Sequence, residues 1–126
     1  MERGLVSVVL VTWNSARYLR RCLAGLGQLT HRNVERLAID NASSDASAEL
    51  VARQAATLIR NDTNRGFSAA VNQGIAIARG EYVLLLNPDC YLLPDYVSRL
   101  VAALSSAPDF GSATGLLIRA VGDDLE

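Results

Sequence analysis

The run Leu5-Val6-Ser7-Val8-Val9-Leu10-Val11 constrains this chain more than any other segment. It is nearly continuous in apolar, mostly β-branched residues, so it does not divide into a wet face and a dry one. Such a run fits a strand covered on both sides, the usual setting of a parallel sheet. A parallel strand needs a crossover before its neighbour can pair, and the next residues supply one. Asn14-Ser15 offers a helix N-cap, Leu19, Cys22, Leu23 and Leu26 recur at helical spacing, and Gly25 and Gly27 mark where the helix stops.

The alternation then repeats. Val34 to Ile39 reads as a second strand, and Asp40-Asn41-Ala42-Ser43-Ser44-Asp45 as a polar turn into a helix over Ala46 to Ala56. Thr57 to Arg60 is a short third strand and Asn61 to Gly66 a loop. Phe67, Val71, Ile75 and Ala78 mark one face of a third helix, which Gly80 ends. Tyr82 to Leu86 is the fourth strand, broken by Asn87-Pro88-Asp89 because proline cannot donate to a sheet ladder. Pro94 fits the first turn of a fourth helix bearing Val97, Leu100, Val101 and Leu104, and Phe110 to Ile118 reads as a fifth strand, against which Gly111 and Gly115 count. This order predicts an α/β fold over residues 1–126 as one domain, with right-handed crossovers and a doubly wound, mainly parallel sheet.

Composition narrows the function classes. The formal net charge of −1 in 126 residues gives no reason to expect nucleic acid or an anionic membrane as partner, and Arg17, Arg20 and Arg21 read as a solvated helix face. No stretch approaches the ~20 apolar residues that span a bilayer, and no cleavable leader is read at the start. The expected location is therefore cytoplasmic, with peripheral contact at the inner face of the membrane left open. Cys22 and Cys90 have neither metal-ligand nor redox spacing and are expected to be free thiols, and the lone His31 reads as a loop residue.

In doubly wound sheets ligands bind beyond the carboxyl ends of the strands, where strand order reverses. Thr12-Trp13-Asn14, Asp40-Asn41 and Asn87-Pro88-Asp89 each follow a strand and are expected to converge there. Neither a Gly-x-Gly-x-x-Gly turn nor a Gly-Lys-Ser/Thr loop is present, which disfavours dinucleotide oxidoreduction and P-loop hydrolysis. Asp40 is placed to accept hydrogen bonds from a base or ribose, or else it caps the next helix; for Asp45 the capping role is preferred. Asp89 suits a hard cation such as Mg²⁺ or Mn²⁺, which takes one or two protein carboxylates and completes its shell with phosphate and water.

Four segments in order now carry a resemblance: Val8-Val9-Leu10-Val11-Thr12-Trp13-Asn14, Ile39-Asp40-Asn41-Ala42-Ser43-Ser44-Asp45, Asn64-Arg65-Gly66-Phe67-Ser68-Ala69-Ala70-Val71-Asn72-Gln73-Gly74, and Leu84-Leu85-Leu86-Asn87-Pro88-Asp89. Together they resemble the family 2 glycosyltransferases, which have the GT-A (nucleotide-diphospho-sugar transferase) fold. The resemblance implies that Thr12 and Asn14 line a nucleotide pocket, that Asp40 bonds the base, and that Asn64 to Asn72 helps hold the nucleotide and diphosphate. Gly66 would let backbone approach the ligand, and the helix start at Phe67 would present N–H groups to an anion. Asn72 has a second reading, as a polar residue on the helix's outer face, and Gly74 one as a site of close helix packing.

Asn87-Pro88-Asp89 stands where the family has an Asp-x-Asp metal motif. The resemblance makes Asp89 the metal ligand and puts Asn87 nearer the ribose or the groups around the metal. Rhamnosyltransferase-like members carry Asn-Pro-Asp here, which suggests dTDP-rhamnose as donor and cell-envelope polysaccharide biosynthesis as setting. Family members run to about twice this length, and their catalytic base and acceptor-binding elements follow the metal motif. Asp123 and Asp124 are the only late acidic pair and read as a solvated tail, so no catalytic base is identified.

The resulting expectation is the donor- and metal-binding half of a truncated GT-A domain. It would serve an inverting transfer from a UDP- or dTDP-sugar to a hydroxyl on a glycan or lipid-linked acceptor. The alternative is a non-catalytic nucleotide-binding or assembly module on the same fold, for which an uncovered sheet edge would invite homo-oligomers.

Overall fold

The computed structural model describes residues 1–55, 57–121 and 124–125. Along the chain run β1 (Glu2–Thr12), α1 (Ala16–Gly27), β2 (Val34–Asp40), α2 (Ser47–Ala52), β3 (Thr57–Arg60), α3 (Phe67–Ile77), β4 (Gly80–Leu86), α4 (Tyr96–Ser105), β5 (Ala120–Val121) and β6 (Asp124–Leu125). The first four strands form one sheet in the order β3-β2-β1-β4, and every neighbouring pair is parallel. As its composition requires, β1 lies in the middle, buried from Leu5 to Thr12.

The two faces of β1 are packed by different helices. Val6, Val8 and Leu10 join Leu19, Cys22, Leu23 and Leu26 of α1, Val51 of α2 and Val97 of α4. Val9 and Val11 join Leu37 and Ile39 of β2 and Ala70 and Val71 of α3. Gly74 is where α3 comes down onto the sheet: a Cβ there would meet Val9 Cγ1 at 2.4 Å and Ile39 Cδ1 at 2.9 Å. The close-packing reading of Gly74 therefore holds.

Three expectations need correction. Helix α2 stops at Ala52 rather than running on, because Val51 is its last buried residue and Arg53 and Gln54 are exposed; Ala56, the expected end, lies outside the described residues. Pro94 precedes α4 instead of sitting in its first turn, and its carbonyl accepts hydrogen bonds from Thr30 N–H at 2.8 Å and Thr30 Oγ1 at 3.1 Å. The strand expected over Phe110 to Ile118 does not form. Residues 111–119 have no regular structure, and Leu116 and Leu117 are 86% and 84% exposed. An apolar run makes a strand only when it pairs with a sheet edge, and this one pairs with neither β3 nor β4. Instead, β5 and β6 pair antiparallel over two residues each, so Asp124 lies in a short ladder, while Asp123 is outside the described residues. Among the described residues no helix is long and apolar enough to cross a membrane.

Candidate functional site

Strand order runs β1, β2, β3 to one side of β1 and then jumps to β4 on the other. The reversal point is thus between β1 and β4, and a ligand crevice is expected beyond their carboxyl ends. The segments there are Trp13-Asn14 and Asn87-Pro88-Asp89, with Asp40 next door on β2.

Thr12 and Asp40 face each other in register and are both 0% exposed. Asp40 Oδ1 accepts from Thr12 Oγ1 at 2.8 Å and from Ser43 Oγ at 2.6 Å, and its Oδ2 accepts from Ser43 N–H at 3.0 Å. The carboxylate thus ties β1 to the turn after β2. Asn14 extends the tie: its N–H donates to Ser43 Oγ at 3.0 Å, and its Oδ1 accepts from Ser44 N–H at 2.8 Å. Asn14 and Ala42 have φ of 46° and 59°. Left-handed backbone is rare outside glycine and gathers at functional sites when the surroundings hold it.

Asp45 caps, as preferred from sequence, but it serves two helices. Its carboxylate accepts from Ser47 N–H and Oγ at the start of α2, and from Ala16 N–H at the start of α1 at 3.0 Å. Burial pushes its pKa up, but these hydrogen bonds outweigh that and leave it below the ordinary aspartate value. The expected cap of α1 is only half right. Ser15 is the cap residue, yet its hydroxyl bonds back to Trp13 instead of into the helix.

At the third strand's end, Asn64 Oδ1 accepts from Gly66 N–H at 2.9 Å, and Gly66, with φ of 85°, opens α3. A Cβ at Gly66 would meet nothing, so its backbone angle is what requires glycine there. Asn41 grips the same loop, accepting from Arg65 N–H at 3.3 Å and donating to Gly66 O at 3.1 Å. Asn72 is exposed, on a flank of α3 that the buried Ala70, Val71 and Gly74 do not use.

Beyond β4, Asn87 and Asp89 are both exposed. The turn is fixed from beneath: Asn87 O accepts from Cys90 N–H at 3.0 Å and from the Cys22 thiol at 3.8 Å. Burial, then the charges of Cys90 and Asp89, push the Cys22 thiol up to about 12, so it stays protonated at neutral pH. Both cysteines are free, as expected. Among the described residues no three His, Cys, Asp or Glu side chains come together as a metal site. A single exposed carboxylate still fits a hard cation that takes its other ligands from a diphosphate and water.

Thr12, Asn14 and Asp40 thus form one bonded cluster, Asn64 and Gly66 a loop tied to it through Asn41, and Asn87 and Asp89 the other wall across the reversal point. Ser43, Asn61 and Gln73 complete this edge and were given no role from sequence, and Asn41 was named there only with Asp40 as a polar pair after β2.

The fold has counterparts among solved structures. The solved structure of S. aureus TarS 1-349 in complex with UDP-GlcNAc superposes with a TM-score of 0.74 at 23% identity, over 81% of this chain and 31% of that one. The mannosyltransferase PcManGT from Pyrobaculum calidifontis, solved with GDP-Man and Mn²⁺, gives 0.75 at 25% identity, over 79% of this chain and 32% of that one. The sheet is therefore of the GT-A type. The succinoglycan biosynthesis protein ExoO of Rhizobium meliloti (strain 1021) is 32% identical over 105 residues, covering 81% of this chain and 30% of ExoO. The glycosyltransferase GlyA of Streptococcus pneumoniae serotype 4 is 31% identical over 99 residues, covering 75% of this chain and 14% of GlyA. The match spans a third or less of each of these proteins, so they exceed this chain by more than the expected factor of two. With residues 7–117 matching the sequence model of glycosyl transferase family 2, the chain belongs to that family.

Proposed function

We propose that this chain forms the donor- and metal-binding part of an inverting glycosyltransferase that uses a nucleoside-diphosphate sugar. The observation that carries the reading is the meeting of the Thr12–Asn14–Asp40 cluster and the Asn87-Pro88-Asp89 turn at the strand-order reversal. TarS and PcManGT, solved with UDP-GlcNAc and with GDP-Man and Mn²⁺, support it. Thr12, Asn14 and Asp40 form the nucleoside wall, Asn64, Gly66 and Asn72 the flank toward the diphosphate, and Asn87 the ribose side. Asp40 is enclosed by Thr12 and Ser43, so reaching a base edge requires it to exchange one of those hydrogen bonds.

Asp89 would hold Mg²⁺ or Mn²⁺. Such a cation offsets the charge that develops on a departing diphosphate. With Asn87 in place of a first carboxylate, the protein brings little negative charge to the cation, and the diphosphate must bring the rest. The Asn-Pro-Asp turn favours a deoxy-sugar donor such as dTDP-rhamnose, with UDP-sugars next, and a glycan or lipid-linked acceptor. General-base catalysis is assigned to the greater length that the relatives carry.

Calorimetric titration with UDP, dTDP and GDP, with and without Mn²⁺, tests this on the wild type, Asp40→Ala and Asp89→Ala. Metal-dependent binding that disappears in Asp89→Ala is expected. A folded chain that binds none of the three overturns the donor-site reading. The open edge of β4, where Val83 and Leu85 are 42% and 50% exposed, favours a second reading as an assembly module. Sedimentation of wild type against Leu85→Lys decides it: self-association lost in the variant supports assembly, and a monomeric wild type removes it.

A further inference from the structure

We propose that Asn61 and Gln73, acting through Asn41, are positioning residues that set residues 62–66 for nucleotide binding. The proposal rests on the donor-site reading of that segment. Residues 62–66 are all exposed, and beyond the local Asn64–Gly66 turn two backbone groups tie them to the sheet edge. Both ties come from one side chain: Arg65 N–H donates to Asn41 Oδ1, and Asn41 Nδ2 donates to Gly66 O. Asn41 is buried, so its amide can serve these groups only if its oxygen and nitrogen point the right way.

Arg65 N–H and Gly66 O fix which way that is, and Asn61 and Gln73 brace it. Their amides exchange two hydrogen bonds, Asn61 Nδ2 to Gln73 Oε1 and Gln73 Nε2 to Asn61 Oδ1, each 2.9 Å. Asn61 Nδ2 also donates to Asn41 Oδ1 at 2.9 Å, so the pair holds the Asn41 amide in that orientation. Turning the Asn41 amide over would then set donor against donor at Asn61 and at Arg65, and oxygen against oxygen at Gly66. The brace runs from Gln73 on α3, through Asn61 after β3, to Asn41 after β2, and ends on the loop backbone. Three apolar side chains would pack these strand ends without any polar cost. What the amides add is a defined loop, with Gly66 held at φ of 85° where α3 begins.

The geometry predicts that the pair works as a unit. Gln73→Met keeps the bulk and removes both hydrogen bonds, and UDP affinity in the presence of Mn²⁺ is expected to fall about tenfold, the scale of one or two buried hydrogen bonds. Gln73→Glu keeps the acceptor but sets a charged oxygen against Asn61 Oδ1, so a loss at least as large is expected. The exchange Asn61→Gln with Gln73→Asn preserves the combined length of the two side chains and is expected to recover most of the binding. Amide hydrogen exchange at residues 65 and 66 gives a readout independent of ligand, expected to quicken in Gln73→Met and return in the double variant. Unchanged exchange and unchanged affinity in a folded Gln73→Met overturn the positioning role. So does failure of the double variant to recover either. Absence of UDP binding in the wild type, with exchange still responding, instead overturns the donor-site reading while leaving the network intact.

Discussion

Each end of the sheet carries a buried carboxylate joining β2 to β1, and the two are built to opposite purposes. At the amino end, Glu35 accepts from Ser7 Oγ at 2.5 Å, from Arg79 N–H at 2.7 Å and from Arg79 Nε at 3.0 Å, while Gly80 N–H donates to Ser7 Oγ at 2.8 Å. The charge there meets a guanidinium, and the left-handed residue is a glycine, Gly4 with φ of 72°. At the carboxyl end, Asp40 accepts from neutral hydroxyl and amide groups, and the left-handed positions include Asn14 and Ala42. One end closes on itself at low strain. The other holds a strained edge in a fixed shape, which is what a binding surface requires.

The comparison breaks most readily at Glu35. Glu35→Ala leaves Ser7 Oγ, Arg79 N–H and Arg79 Nε without their shared acceptor, and is expected to destabilise the chain by about 2 kcal/mol. The figure is held down because Arg79 is largely exposed and can turn to water. Urea denaturation measures it, and nucleotide affinity of the folded variant should stay at the wild-type level. A loss of affinity matching the loss of stability would mean that the two ends are not separable.

Acid tests the same end without mutation. Burial pushes the Glu35 pKa up, but hydrogen bonds from Ser7 and Arg79 and the Arg79 charge outweigh it and hold the carboxyl below its ordinary 4.5. A carboxylate with a lowered folded pKa adds stability that is full above the unfolded value and lost as pH falls through the folded one. Melting temperature should therefore hold at neutral pH and drop as pH passes below 4.5, with Asp45 adding to the fall from its ordinary 3.8. Glu35→Gln should shallow the slope. An unchanged slope would assign acid sensitivity elsewhere.

The same contrast explains what sequence could reveal. β1, α1 and β4 are legible because their apolar residues recur at the spacing of the surface that buries them, and Asp40 and Asp89 because polar groups after strands have a known meeting place. What fails does so for want of a partner or of locality. Phe110 to Ile118 has a strand's composition but does not pair with the open β4 edge. Asp45 looks like a local cap, yet its bond to Ala16 spans 29 positions, and no nearby residue signals it. Asn61 and Gln73 stand on different elements, and their pairing is set by how α3 packs on the sheet, which Gly74 alone hints at.

A smaller effect sharpens the strain argument. Ala42 at φ of 59° carries a cost of roughly 1–2 kcal/mol that glycine would not. Glycine also loses more backbone freedom on folding, by about 0.5–1 kcal/mol. Ala42→Gly should therefore stabilise by about 0.5 kcal/mol, the difference between those two costs. A clear destabilisation would mean that the alanine methyl does something at this edge besides enduring its backbone angle.

The smallest effect on stability belongs to Asp89. It is exposed, and among the described residues its carboxylate's one hydrogen-bond contact is with the Cys90 thiol at 4.0 Å. Removing it in Asp89→Asn should change unfolding free energy by less than about 0.5 kcal/mol, as for a surface side chain. Folding thus gains little from this carboxylate, in contrast to Glu35. If its place on the turn serves a cation and a diphosphate, wild type should be stabilised by UDP only when Mn²⁺ is present, by an amount that grows with ligand concentration. Asp89→Asn should lose that gain while melting at the wild-type temperature without ligand. Melting curves of both proteins with neither additive, each alone and both together decide the matter. A variant that loses stability on its own would move Asp89 to the structural side of the comparison, beside Glu35.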